Sequence, residues 1–286
     1  MNVPEILAQI DSLPPMPAVA VQLLEATQNP DVDLGQVAHL IECDPAMTAN
    51  LLRACNSPFY GLRREVTSIR QATGLLGLKQ VVQIAVTLLA SRYLAPSQEG
   101  YDLAPGELWK SSVAAGIAAE LLARECKYPH PNTAYTAGLL QDMGKIVLAE
   151  HLGGLLPQIR KLTEEQGIGW EEAEREVVGI PHPEVGAALL ERWNFPATLV
   201  EAVRCHHHPA DATLDPTLSH LSHLADALTM TLGMGLGGDG LAYCLDERSV
   251  VALGLDHPGR MDVLLARLAE QLQQAEDLLR PPGTDH

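Results

Sequence analysis

Histidine side chains are concentrated in one part of this 286-residue sequence. Six of its eleven histidines lie between residues 182 and 223: His182, His206, His207, His208, His220 and His223. Asp226 follows His223 at the i, i+3 spacing that places two side chains on one helix face, and Asp142 lies upstream. Imidazole and carboxylate groups drawn from several helices are the usual ligands of divalent metals in helical bundles. The pattern therefore indicates a candidate metal site.

Each of these histidines also has an ordinary structural explanation. His206 to His208 follow a predicted helix, and a cationic histidine interacts favourably with a helix C-terminus without any metal. Consecutive helical residues point about 100° apart, so at most two of the three could serve one site. His182 lies between two prolines, where it could simply begin a helix. Asp226 is harder to explain, because a carboxylate in the apolar segment LSHLADALTM needs a partner once it is buried.

Helical periodicity runs through most of the chain. Apolar residues recur at i, i+3, i+4 and i+7, and few segments alternate with period two. In the first half we expect about five helices, with Asp33, Asp44 and Ser68 as N-caps and a helix end at Asn56-Ser57-Pro58. Beyond them the same spacing predicts helices over residues 106–126, 133–150, 154–165, 170–178, 182–193, 197–205, 216–232 and 261–279. The fold class is therefore all-α.

Residues 96–105 differ in composition from the helical segments on either side. From Ala95 to Pro105 the chain reads APSQEGYDLAP, which has no apolar period. We predict a linker over 96–105, between an N-terminal helical subdomain (1–95) and a second helical subdomain (106–280), and a disordered tail over 281–286. The glycine-rich segment 233–240 predicts a loop; without a preceding strand or a following Gly-Lys-Ser/Thr it does not match a phosphate loop.

The composition excludes several classes of function. The chain has 36 acidic and 19 basic residues, and its formal net charge of −17 is too negative for nucleic-acid binding by bulk charge. No uncharged apolar segment reaches the roughly 18 residues that a membrane span needs. Five scattered cysteines with no CxxC pair argue against a disulfide framework, and the N-terminal residues lack the features of an export signal. We therefore expect a cytoplasmic protein.

Several motifs together resemble the HDOD output domain of bacterial signalling proteins. They are ECDPAMTANLLRACNSPFYG in the first half, TAGLLQDMGKIVLAEH in the middle, and HPEVGAALLERWNFPATLVEAVRCHHHP followed by LSHLADAL. The resemblance covers nearly the whole chain up to Leu232. It implies an N-terminal helical bundle packed on an HD-like helical domain.

HDOD domains are relatives of the HD superfamily of metal-dependent phosphohydrolases and of the HD-GYP cyclic di-GMP phosphodiesterases. In those enzymes an early His, a His-Asp doublet, further histidines and a late Asp bind one or two metals. The resemblance carries over only in part, since the early His falls on Ser111, the doublet His falls on Gln141, and the GYP signature is absent. The retained positions are Asp142, Lys145, His182, His206, His207 and Asp226.

The loss of two imidazoles weakens the implied metal site, because serine and amide groups are weak, neutral ligands. A partial or vestigial site of Asp142, His182, His206 or His207, and Asp226 could still hold one divalent metal, either Fe, Mn, Zn or Ni. The same residues could instead form a hydrogen-bonded polar cluster that requires no cofactor. If the site is active, Asp142 and Lys145 are the expected catalytic residues.

The resemblance implies a regulatory signal-transduction module of the kind associated with response regulators. Such a module acts by interaction with a partner protein or a ligand rather than by turnover. The alternative is a metal-dependent phosphohydrolase or phosphodiesterase acting on a nucleotide or a cyclic dinucleotide. A scaffold with no ligand is a third interpretation. We expect a signalling protein as partner, and a homo-oligomer is compatible with the sequence.

Overall fold

A computed structural model shows an all-α protein and describes residues 3–27, 32–235, 237–238 and 245–282. Within these ranges the regular backbone is helical, and β-structure is limited to an isolated bridge between Gln98 and Leu103. The predicted fold class is confirmed. In the same ranges no helix combines the length and the apolar character that crossing a membrane requires.

The N-terminal helices form a bundle whose starts are set by side-chain caps. Asp33, Asp44 and Ser68 each accept a hydrogen bond from a backbone N–H in the first turn of the helix that follows, as predicted. The first helix below was not predicted. The helices are α1 (Val3–Ile10), α2 (Ala18–Ala26), α3 (Leu34–Glu42), α4 (Pro45–Cys55), α5 (Ile69–Leu76) and α6 (Leu78–Leu94).

The longest helix of the second group, Glu107–Glu125, packs mainly against the helices Pro131–Leu140 and Pro216–Thr231. Most helix boundaries in this group agree with those that the apolar periodicity predicts. The last helix ends at Gln274, earlier than predicted, and the helix Glu247–Ala252 was not predicted. The helices are α7 (Glu107–Glu125), α8 (Pro131–Leu140), α9 (Lys145–Leu152), α10 (Leu156–Gln166), α11 (Trp170–Val178), α12 (His182–Arg192), α13 (Ala197–Cys205), α14 (Pro216–Thr231), α15 (Glu247–Ala252) and α16 (Arg260–Gln274).

The helix predicted over 133–150 is wrong, because the structure divides it in two. Helix α8 ends at Leu140 and α9 begins at Lys145, with a turn between them. A Cβ atom on Gly144 would lie 1.9 Å from the carbonyl oxygen of His182, so only glycine permits this approach. The break brings the turn 141–144 against the start of α12, and it is a tertiary contact that local periodicity does not encode.

The segment predicted as a linker, 96–105, is folded against the second group of helices. It contains a short 3-10 helix, Glu99–Tyr101, that packs on α9, and the Tyr101 side chain is fully buried. Buried apolar residues from α1 to α16 form one continuous core on both sides of this segment. The division into subdomains therefore stays a prediction. Of the tail predicted to be disordered, 283–286 lie outside the described residues, as do 236, 239 and 240 of the predicted loop.

Candidate functional site

His182 begins helix α12 and lies in a buried polar cluster. Its Nδ1–H donates to Glu174 Oε2 at 2.8 Å, and its backbone N–H donates to the same oxygen at 2.8 Å. Glu174, on α11, is 0 % exposed, and its Oε1 accepts hydrogen bonds from the Tyr101 hydroxyl at 2.6 Å and from Trp170 Nε1 at 3.1 Å. Four donors therefore hold this carboxylate, and the carboxylate orients the imidazole so that Nε2 faces into the cluster.

Asp142 and Lys145 reach the cluster from the turn between α8 and α9. The Lys145 ammonium lies 3.0 Å from Asp142 Oδ1, and the same oxygen is 3.4 Å from His182 Nε2. Both side chains are buried, and Lys145 Nζ also lies 5.6 Å from the centre of the Tyr101 ring, within cation–π range. The break at Gly144 is what allows the turn to present these two charges to α12.

His206 and His207 enter the cluster from the C-terminal end of α13. His207 Nε2 lies 3.2 Å from His182 Nε2. His206 Nδ1–H donates to the carbonyl of Val203 at 2.7 Å, and its buried Nε2 has no partner among the described residues. One ring nitrogen from each of the three histidines lies within 4.8 Å of the others. His208 points away and bonds Glu171 at 2.6 Å, so two of the three consecutive histidines serve one site.

The two α14 residues have different roles from those that their spacing suggested. His223 Nδ1–H donates to the carbonyl of His206 at 2.8 Å, and its Nε2 accepts the backbone N–H of Asp246 at 2.8 Å. Its ring therefore ties the end of α13 to the start of α15. Asp226 Oδ1 accepts the amide of Gln141 at 2.8 Å and lies outside the histidine group, as Asp142 also does. The structure thus joins Asp142 to His182 but joins Asp226 to Gln141.

The cluster balances its own charges. Burial acts to lower the pKa of His182, but the adjacent Glu174 carboxylate outweighs it and raises that pKa. Burial acts to raise the pKa of Asp142, but the charges of Lys145 and His182 leave it below its usual range. The pKa of Glu174 is lowered against burial by His182 and its hydrogen bonds. Two cations and two carboxylates therefore share one buried region.

The environment of the other two histidines of the cluster favours their neutral form. Burial, together with the charge of His182, lowers the pKa of His206 to about 3. Burial and the neighbouring His206 lower the pKa of His207 well below its ordinary value. The Nε2 atoms of His207 and His182 lie 3.2 Å apart, a distance at which one nitrogen donates its proton to the other.

The residues present fit a single metal ion in part. Three imidazole nitrogens within 4.8 Å, one of them buried without a partner among the described residues, match the imidazole ligands that Zn, Fe and Ni accept. A tetrahedral site at about 2.1 Å per bond needs donors about 3.4 Å apart, so the group would have to contract. Metal binding would also replace the contact between His182 Nε2 and His207 Nε2 and compete with Lys145 for Asp142. A second metal has no comparable donor group among the described residues.

Part of the glycine-rich segment after α14 covers Ser111, the position of the early histidine. The Ser111 hydroxyl donates to the carbonyl of Leu108 at 3.0 Å. A Cβ atom on Gly235 would lie 2.6 Å from Ser111 Cβ, and Gly238 N–H donates to the carbonyl of Tyr101 at 2.8 Å. The glycines permit this close packing.

Sequence reasoning missed Glu174, the residue with the largest number of hydrogen bonds in the cluster. Its helix, WEEAEREVV, reads as an amphipathic surface helix rich in acidic residues. The position of Glu174 in the helix could have revealed it. Glu174 lies four residues after Trp170 and four before Val178, so it falls on the buried stripe of the helix rather than on its exposed face. A carboxylate on an apolar stripe needs buried partners.

The fold and the site define an all-α protein in which α11, α12, α13 and the α8–α9 turn enclose histidines and carboxylates. The profile of the HDOD domain matches residues 13–209. This chain belongs to the HDOD domain family.

Two solved structures establish the same fold at low identity. An HDOD domain protein of unknown function from Geobacter sulfurreducens superposes with a TM-score of 0.78 at 24 % identity, covering 96 % of this chain and 97 % of that chain. A candidate phosphohydrolase from Shewanella amazonensis superposes with a TM-score of 0.73 at 23 % identity, covering 96 % and 98 %. At these identities the similarity concerns the fold.

Two curated relatives are considerably longer than the matched region. An uncharacterized protein of Treponema pallidum is 28 % identical over 204 residues, which is 71 % of this chain and 39 % of that protein. The cyclic di-GMP phosphodiesterase CdgJ of Vibrio cholerae is 28 % identical over 145 residues, which is 50 % of this chain and 32 % of that protein. The chain therefore spans less than two fifths of either relative.

Proposed function

We propose that this chain is a regulatory signal-transduction module that acts by binding a partner protein or a ligand, without catalytic turnover. The observation that carries the proposal is the charge-balanced network Lys145–Asp142–His182–Glu174. A hydrolytic metal needs carboxylate and imidazole lone pairs that are free, together with an open position for water. Here the Lys145 ammonium already lies 3.0 Å from the carboxylate that the enzymes offer to metal, and His182 Nε2 lies 3.4 Å from the same oxygen.

The second carboxylate of the retained set is engaged in the same way. Gln141, at the position of the doublet histidine, donates its amide to Asp226 at 2.8 Å. An amide donor next to a carboxylate satisfies that carboxylate, whereas a histidine would offer a second metal ligand there. Membership in the HDOD family supports the signalling role, since these domains resemble output modules of bacterial signalling proteins. The proposed partner is another signalling protein.

The proposed compartment is the cytoplasm. The described cysteines, Cys43, Cys55, Cys126 and Cys205, are all free thiols. Free thiols are typical of a reducing environment.

A pair of variants tests whether turnover at this site carries the function. Asp142→Asn alone leaves Lys145 buried without its counter-charge, whereas Asp142→Asn with Lys145→Gln removes both charges together. We expect the double variant, expressed in cells that lack the wild-type gene, to restore the wild-type transcript profile. The free energy of unfolding of the single variant measures how much stability is lost when Lys145 is buried without its counter-charge.

Hydrolysis of cyclic di-GMP by the same proteins is then measured in vitro. Purified wild-type chain, supplied with Mn²⁺ or Fe²⁺, is incubated with cyclic di-GMP and the products are separated by chromatography. We expect equal, background rates for wild type and double variant. Hydrolysis by wild type that the folded double variant lacks would contradict the proposal.

A metal-dependent phosphohydrolase is the second candidate function. The observation that favours it is the group of three imidazole nitrogens within 4.8 Å, with Asp142 beside His182. CdgJ, with which the chain shares 28 % identity over 145 residues, is described as a cyclic di-GMP phosphodiesterase. His182, His206, His207 and Asp142 would hold one metal ion, which would activate water at phosphorus. Elemental analysis showing one equivalent of bound metal in wild type, and none in His206→Ala, would favour it.

A further inference from the structure

Basic residues are concentrated in one short part of this acidic chain. Five of its 19 basic residues but only one of its 36 acidic residues, Glu65, lie between positions 53 and 79. We call residues 53–79 the basic segment. It runs from the last turn of α4 through the following loop and α5 to the first turn of α6. Its basic residues are Arg53, Arg63, Arg64, Arg70 and Lys79.

Most of the charge of the basic segment is not neutralised within the chain. Arg63, Arg64 and Arg70 are exposed, and their side chains form no ion pair or hydrogen bond with any described residue. Each of the nine arginines beyond residue 120, by contrast, is paired with a carboxylate. Asp33 and Asp44, at the neighbouring helix starts, accept backbone N–H groups as caps. The three arginines are therefore available to an anionic group from outside the chain.

Apolar side chains are exposed beside these arginines. Leu75 lies on α5 between Arg70 and Lys79 and is 62 % exposed. Leu34, on α3, is 52 % exposed, and α3 packs against α5. Interfaces between proteins are enriched in arginine and bury apolar area as well as charge. The composition of this surface is therefore suited to contact with another protein.

The complementary charge lies on α10 and α11 of the same chain, which pack against each other. Their basic residues, Arg160, Lys161 and Arg175, are each already paired with a carboxylate. We call the exposed glutamates of these two helices the acidic face: Glu164, Glu165, Glu172 and Glu176. All of them except Glu165 lack an ion pair within the described ranges. The acidic face therefore has uncompensated negative charge.

The two surfaces belong to different groups of helices. Helix α5 packs on α3, α4 and α6, whereas α10 and α11 pack on each other and α11 packs on α12. A second copy of the chain can present its acidic face to the basic segment of the first. A nucleic acid suits the basic segment less well, because a polyanion would be repelled by the rest of a chain whose net charge is −17.

We propose that the basic segment binds the acidic face of a second copy of this chain, with Arg63, Arg64 and Arg70 opposite the glutamates of α10 and α11. Each copy has both surfaces, so a pair related by a twofold axis forms the same contact twice. Complementary charge orients such a contact and makes it sensitive to salt. The proposal does not rest on the proposed function, because it concerns association between copies and uses different residues.

Sedimentation equilibrium of the full chain in about 50 mM and about 500 mM NaCl tests the proposal. We expect self-association with a micromolar Kd at the lower salt concentration, and a Kd about tenfold higher or more at the higher one. Two double variants, Arg63→Glu with Arg64→Glu and Glu172→Arg with Glu176→Arg, should each self-associate about tenfold more weakly or less. An equimolar mixture of the two should associate about as tightly as wild type, because the reversed charges are again complementary.

A matched control separates this contact from a general effect of net charge. Lys110→Glu with Lys127→Glu changes the net charge as much as the arginine variant does, at exposed lysines outside the basic segment, and should associate like wild type. Leu75→Ser, which leaves every charge in place, should also weaken association. All these positions are exposed, so each variant should melt near the wild-type temperature by circular dichroism.

Four results would overturn the proposal. They are a wild-type chain that stays monomeric at low salt, association that neither charge reversal weakens, a mixture of the two reversed variants that stays monomeric, and a lysine control that loses as much affinity as the arginine variant. Binding of single-stranded DNA to a monomeric wild-type chain, lost in the arginine variant, would assign the basic segment to a nucleic acid instead.

Discussion

Replacing Glu174 by glutamine should destabilise this protein far more than its place in an acidic helix suggests. Glu174 accepts four hydrogen bonds, two at Oε1 from Tyr101 and Trp170 and two at Oε2 from His182. A glutamine of the same shape has one carbonyl oxygen and one NH₂ group. Whichever way the amide turns, two buried donors then face a donor.

The magnitude follows from these contacts. Each buried group left without its partner costs about 1–3 kcal/mol, and removing one member of a buried ion pair costs about 3–5 kcal/mol. These two effects overlap at the His182–Glu174 pair, so they are not added. We expect Glu174→Gln to lower the free energy of unfolding by about 3–5 kcal/mol.

Urea unfolding monitored by circular dichroism measures this effect. Two controls bracket it: Tyr101→Phe removes one of the four donors, and Glu172→Gln changes an exposed glutamate on the same helix. We expect a loss of about 1–2 kcal/mol for Tyr101→Phe and less than about 0.5 kcal/mol for Glu172→Gln.

The loss of unfolding free energy should be largest for Glu174→Gln, smaller for Tyr101→Phe and smallest for Glu172→Gln. A Glu174→Gln protein within about 1 kcal/mol of wild type would show that the four hydrogen bonds do not hold a buried charge. A Glu172→Gln loss as large as that of Glu174→Gln would assign the effect to helix α11 as a whole.

Three further predictions concern the elements that position the site. Gly144→Ala should cost about 3 kcal/mol or more in thermal unfolding, because its Cβ would lie 1.9 Å from the His182 carbonyl oxygen. Asp44→Ala should cost about 1 kcal/mol by urea unfolding, because its carboxylate caps α4. Glu201→Gln should cost about 1–2 kcal/mol at pH 7, because Glu201 accepts hydrogen bonds from residues 213–215. Burial acts to raise the pKa of Glu201, but these bonds lower it overall, so the cost should shrink as pH falls below 4.5.

Each of these has its own control. Gly153→Ala introduces the same methyl group where no atom lies within 4 Å, and it should leave stability nearly unchanged. For Asp44, the conservative variant Asp44→Asn should retain most of the cap. For Glu201, a difference from wild type that persists unchanged at pH 3 would show that the carboxylate charge is not responsible.

Sequence periodicity was a good guide to the helices and a poor guide to where one of them breaks. Caps at Asp33, Asp44 and Ser68 are local hydrogen bonds within a few residues, so residue types alone predict them. The break at Gly144 arises because α12 approaches from 38 residues further along the chain, where His182 O meets the turn. Periodicity reports only which face of a segment is apolar.

The candidate site likewise has features that the sequence predicts and features that depend on the tertiary structure. Residue types and the family resemblance selected His182, His206, His207 and Asp142, and the structure brings these four to one buried region. Which side chain each candidate residue contacts depends on the tertiary structure. Asp226, for example, accepts a hydrogen bond from Gln141. Local spacing constrains directions around one helix, but it contains no distance between helices.

The all-α fold, the helix caps and the set of imidazole and carboxylate side chains were predictable from the sequence, because they depend on residue type and on the spacing of a few positions. Which charged groups meet follows only from the folded chain, in which Glu174 lies 2.8 Å from His182 and Lys145 lies 3.0 Å from Asp142. Burial and charge pairing depend on which distant residues meet, and a charge is stabilised or left costly according to the neighbours that folding supplies.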